Sequence, residues 1–136
     1  MYNNLLIPIA EDHGTETDRV LAIAAALQGD GAAVTLLHVI EEIPQMALVH
    51  IPPEVLERSR TDAHDMLAGV AARFDGAPRT ALQGGHGGRS IVDYAETHGI
   101  DCIVMRSHRP EFQDVFFGST AAHVVRHAPC SVHVLR

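Results

Sequence analysis

Arg106, His108 and Arg109 fall within four positions directly after the apolar run "DCIVM", residues 101–105. Eight residues separate Arg109 from Gly118-Ser119-Thr120, where the helical pattern "STAAHVVRHA" opens. A guanidinium presents a rigid fork of N–H donors that fits phosphate or carboxylate oxygens two at a time. A helix start adds unpaired backbone N–H groups and the positive end of the helix dipole. Together these are the parts of an anion site, with His108 as a further donor and Ser119 offering a hydroxyl. The same residues also read as solvated loop charges and an ordinary N-cap at Ser119. Spacing alone leaves both readings open.

Other groupings carry less chemistry. "GGHGG", residues 84–88, has Ser90 where a dinucleotide loop needs its third glycine. It reads as a flexible strand-to-helix turn, placed to line the far side of a pocket. Among ten histidines, His123 and His127 stand four apart and share a helix face. No companion carboxylate or cysteine and no "HExxH" accompanies them, so a structural or surface role is expected over a metal site. Neither "GxSxG" nor a Ser-His-Asp order is present, and serine hydrolase chemistry has no support. Glu11 and Asp12 read as a solvated acidic loop.

The whole composition narrows the field. All ten basic residues are arginine, which excludes a P-loop lysine and Schiff-base chemistry. A formal charge of −7 argues against nucleic acid or an anionic membrane as partner. No apolar run approaches the roughly 20 residues of a membrane helix. Asn3, Asn4, Pro8 and Glu11 interrupt any signal peptide. Cys102 and Cys130 read as reduced thiols. The expectation is one cytoplasmic domain over residues 1–136.

The elements that must position these residues alternate strictly. Strands are expected at 3–9, 33–40, 79–83, 101–105 and 131–136. Helices are expected from Thr15 to the stop at Gly29–Gly31, over about 53–75, from Arg89 to Gly99, and from Ser119 to Ala128, with an irregular stretch at 41–52. Thr15 or Thr17 is the expected cap of the first helix. This order predicts an α/β fold: an open parallel five-stranded sheet between two helical layers. Ligands of such sheets bind beyond the C-terminal strand ends, where the loops 9–15, 40–52 and 106–120 compete for the place.

"NNLLIPIAEDH", "LLHVIEE" and above all "VMRSHRPEFQDVFFGSTAAHVVRHAPCSVHVLR" resemble the universal stress protein family end to end. The Ser-His-Arg-Pro element resembles that of its small bacterial branch. The resemblance implies a Rossmann-like, adenine nucleotide alpha hydrolase-like fold with strand order 3-2-1-4-5. It implies a homodimer through the last strand, 131–136, in a regulator of the stress response with an unknown regulatory partner protein. It also implies an ATP or AMP site, with magnesium, built on Gly-x2-Gly-x9-Gly-Ser/Thr. An aspartate ends the first strand of that pattern, and a backbone contact near the end of the second meets the adenine.

Carried onto this chain, the site comprises Val39, Met105, Arg106, His108, Arg109, Gly118, Ser119 and Thr120. Arg106 and Arg109 stand in place of the first two glycines, and the last spacing is eight rather than nine. Ala10 stands where the aspartate would. A charged hydrogen bond to ribose is worth about 1.5–3 kcal/mol, so its loss weakens binding about 10- to 150-fold. Glu11 and Asp12 adjoin the gap, but neighbouring side chains point differently. Weak nucleotide binding is the leading expectation, and a nucleotide-free dimeric interaction module is the alternative. Slow ATP hydrolysis or self-phosphorylation on Ser119 or Ser107 follows from the resemblance alone. No general base is legible, and the chain is not read as an enzyme.

Overall fold

The computed structural model describes residues 1–107 and 118–136. The strands are β1 (Tyr2–Pro8), β2 (Gln28–Glu41), β3 (Arg79–Gly85), β4 (Cys102–Arg106) and β5 (Ser131–Leu135). The helices are α1 (Thr15–Leu27), the single turn α2 (Gln45–Leu48), α3 (Pro53–Arg73), α4 (Gly87–Thr97) and α5 (Ser119–His127). The five strands form one parallel sheet in order β3-β2-β1-β4-β5.

Leu5, Leu6 and Ile7 are consecutive and all fully buried, because both faces of β1 are covered. Alternate side chains go to opposite faces. Leu5, Ile7, Val34, Leu36, Cys102 and Val104 pack with Val20, Leu21 and Ala24 of α1 and Leu67 and Val70 of α3. Leu6, Leu37, Ile103 and Met105 pack with Ile91, Val92 and Ala95 of α4 and Ala121 and Val124 of α5. Cys102 and Cys130 therefore serve different faces, and both are free thiols.

Several boundaries depart from expectation. β2 begins five residues early, at Gln28, and the chain that was to stop α1 joins the sheet instead. Tyr2 pairs Gln28 while Asn4 pairs Ala33, a register shift that absorbs the extra residues. Gly29 makes this possible: a Cβ there would lie 2.6 Å from the Met1 nitrogen. The irregular stretch includes the turn α2 between Pro44 and Pro52. The cluster 84–88 joins strand to helix as expected, but with His86 alone between them: Gly84 and Gly85 extend β3, and Gly87 and Gly88 begin α4.

Neither expected cap operates. Gly14, at φ 59°, precedes α1 with no side-chain cap, while the Thr17 hydroxyl accepts the His13 N–H at 2.8 Å. Gly118, not Ser119, is the N-cap of α5, and Ser119 is already helical.

Candidate functional site

A cavity of about 430 Å³ opens beyond the C-terminal ends of β1, β2 and β4. That size lies within the roughly 300–1,000 Å³ of small-molecule sites. Its floor is apolar: Ile9, Val20, Leu37, Val39, Ile91 and Met105. Its polar edge comes from the loop after β1 (Glu11, His13), from Glu41, from Arg106 and from the first residues of α4 and α5. Parallel strands deliver these groups together because every strand ends on the same side.

The helix start at α5 is locally prepared. The Ser107 hydroxyl accepts the Gly118 N–H at 3.1 Å, which ties the chain on either side of residues 108–117. The Gly118 carbonyl accepts the Ala122 N–H at 2.9 Å, beginning the helical ladder. The N–H groups of Ser119, Thr120 and Ala121 belong to the first turn, where no intrahelical acceptor exists. All three residues border the cavity.

At α4 the corresponding place is taken by the protein itself. Glu41 Oε1 accepts the Gly87 N–H at 3.1 Å, and Glu41 Oε2 lies 3.7 Å from His86 Nδ1. A carboxylate at a helix N-terminus is favoured by the dipole. The two helices meet closely behind it: a Cβ on Gly88 would lie 2.9–3.1 Å from His123 Cβ, Cγ and Cδ2.

The loop after β1 is fixed by Arg73, at the end of α3. Its Nη1 and Nη2 donate to the two carboxylate oxygens of Asp12 at 2.8 and 2.7 Å. Its Nε donates to Asp18 Oδ1 at 2.8 Å. The two Arg73 bonds to Asp12, with the Gly14 N–H also on that carboxyl, hold it down at about 2 against an ordinary 3.8; partial burial opposes them. The Arg73 guanidinium is pushed further above its already high range by the same two acids. The acidic loop is thus not simply solvated. Asp12 is engaged with α3, while Glu11 borders the cavity.

Six of the eight residues expected from the sequence border this cavity: Val39, Met105, Arg106, Gly118, Ser119 and Thr120. His108 and Arg109 lie outside the described residues. Arg106 is not a solvated loop charge. Its Nε lies 3.3 Å from Glu16 Oε2, on the first turn of α1. Ala10 is exposed at the rim, and Gly87 of the glycine cluster lies at the far side. His123 and His127 have ring centroids 4.5 Å apart, and among the described residues no three His, Cys, Asp or Glu gather as a metal set. Sequence reasoning missed Arg73, Glu16 and Glu41. Their only signal was charge, which does not name a partner.

A model described as the universal stress protein family matches residues 1–136. Universal stress protein G of Escherichia coli O157:H7 is 26% identical over 142 residues, covering 100% of both chains. The structure of universal stress protein UspA from Lactobacillus plantarum is 30% identical with a TM-score of 0.75, covering 99% of this chain and 98% of that one. A universal stress protein from Archaeoglobus fulgidus, solved in complex with dAMP, shares the fold at 20% identity and a TM-score of 0.68, covering 99% and 98%.

Proposed function

The chain belongs to the universal stress protein family, and from that premise we propose that it is a regulatory protein that binds AMP or ATP weakly in the cavity above β1, β2 and β4. One observation carries the reading. Residues picked out on three separate elements border a single cavity: Val39 on β2, Met105 and Arg106 on β4, and Gly118 to Thr120 at α5. The apolar floor suits a purine, and the α5 start suits a phosphate. A dAMP complex of a protein with the same fold supports the choice of ligand. Arg109 and His108 complete the phosphate end in this reading. Magnesium enters as the ion that ATP carries.

The sugar is the weak point. Ala10 offers no carboxylate to the ribose hydroxyls, and Asp12 is turned to Arg73. Binding in the high micromolar to millimolar range follows.

The protein acts in this reading as one domain that pairs through β5. That strand ends the sheet, and Ser131 and His133 are exposed along it. A parallel edge with unpaired backbone groups invites a second copy. Two free thiols suit a cytoplasmic, reducing location.

The test is direct. Native mass spectrometry of purified protein looks for carried nucleotide, and calorimetry titrates AMP and ATP with magnesium. Heat with one ligand per chain is expected. No heat and no carried nucleotide at millimolar ligand would remove the reading.

The second reading is a nucleotide-free interaction module, and one observation favours it. Ile43, Met46, Leu48 and Val49 are exposed in the short segment between β2 and α3, and Val55 is exposed in the first turn of α3. Clustered exposed apolar side chains mark contact surfaces. Absence of nucleotide binding, together with loss of a co-purifying partner in Met46→Ser/Val49→Ser, would select it.

A further inference from the structure

We propose that Glu16 is an internal competitor for the guanidinium of Arg106, and so sets how strongly this cavity prefers a phosphorylated ligand to a bare nucleoside. The choice of ligand rests on the nucleotide reading above; the geometry does not.

Arg106 leaves the end of β4 and borders the cavity, and among the described residues it is the arginine that does so. Its Nε lies 3.3 Å from Glu16 Oε2. β4 neighbours β1, and α1 follows β1, so this contact crosses the crevice where the strand order reverses. That crevice is where open α/β sheets receive ligands. A phosphate entering there meets a cation already holding a carboxylate.

The exchange is nonetheless easy. The Arg106 and Glu16 side chains are 26% and 41% exposed, so water screens the pair. Glu16 Oε2 also lies 3.5 Å from Arg19 Nη1, one helical turn on. When Arg106 turns to a phosphate, Glu16 keeps a cation. A phosphate can then take the guanidinium through two parallel N–H bonds. A nucleoside has no group to make this exchange and leaves the pair closed.

The experiment titrates adenosine, AMP and inorganic triphosphate into the full chain by calorimetry, for wild type, Glu16→Gln, Arg106→Gln and the double variant. Thermal melts establish that each is folded. Glu16→Gln should bind AMP and triphosphate about 2- to 5-fold more tightly, the range expected for releasing an exposed pair, with adenosine unchanged. Arg106→Gln should weaken AMP and triphosphate, and in that background Glu16→Gln should give no gain.

Two results overturn the proposal: no tightening of AMP or triphosphate in Glu16→Gln, or a tightening that persists without Arg106. The second would mean general removal of negative charge. If wild type binds neither adenosine nor AMP, the nucleotide reading falls by itself. The triphosphate arm still decides whether Glu16 competes, because that ion needs no purine pocket.

Discussion

At the scale of residues, two arginines do different work with the same chemistry. Arg73 makes three charge-assisted bonds to Asp12 and Asp18, one from each guanidinium nitrogen. Arg106 makes one longer contact and remains exchangeable. Arg73→Ala would leave Asp12 and Asp18 without their shared cation. It should cost about 1 kcal/mol and lower Tm by about 3–5 °C, measured by thermal denaturation. The Asp12 carboxyl, held at about 2, contributes stability above its ordinary value of 3.8 and loses it as pH falls toward 2. Melting followed from pH 5 to pH 2 should show that loss in wild type and a shallower acid slope in Asp12→Asn. An equal slope would mean that the pair contributes nothing. Ala10 invites the converse change. Ala10→Asp should tighten AMP binding about 10- to 150-fold through about 1.5–3 kcal/mol of ribose hydrogen bonding. A 2′,3′-dideoxy analogue should show no such gain in calorimetry.

At the scale of elements, the two helices behind the cavity set how closely their first turns converge. Gly88 in α4 packs directly on His123 of α5, and the nearest contacted atom is Cβ, which no rotamer change moves. Gly88→Ala should cost about 1–3 kcal/mol by overpacking. Gly69, inside α3, has nothing within 4 Å of its would-be Cβ. Gly69→Ala should stabilise by about 0.5–1 kcal/mol, because alanine is the better helix former. Urea denaturation of the pair checks the contrast, and equal effects would refute the packing account. "GGHGG" reads in the sequence as one flexible strand-to-helix turn, because clustered glycines break regular structure. Its two halves instead serve β3 and α4, and Gly85, at φ 138°, makes the bend that divides them.

At the scale of the whole molecule, the parallel sheet brings β1, β2 and β4 to one end and leaves β5 at an edge. Sedimentation equilibrium should give twice the 14.7 kDa chain mass if a second copy covers that edge. A species at the chain mass across micromolar concentrations would remove the dimer. With a charge of −7, any such pairing should strengthen as salt screens the repulsion.

The alternation of strands and helices, the continuously apolar central strands and the helix start at Gly118-Ser119 were legible in the sequence. Each is a local pattern, read within one element. Family membership was legible for the same reason, since its motifs are contiguous. The tertiary structure decided which charges meet. Arg73 reaches Asp12 and Asp18 across 61 and 55 residues of chain, and Arg106 reaches Glu16 from the far half of the sequence. Charge is an isotropic signal in a sequence, so every arginine there could pair with any exposed acid. Only the folded sheet, by bringing β1 beside β4 and α3 beside the loop after β1, selects the partner. That selection separates an arginine that fixes the loop after β1 from one that borders the cavity.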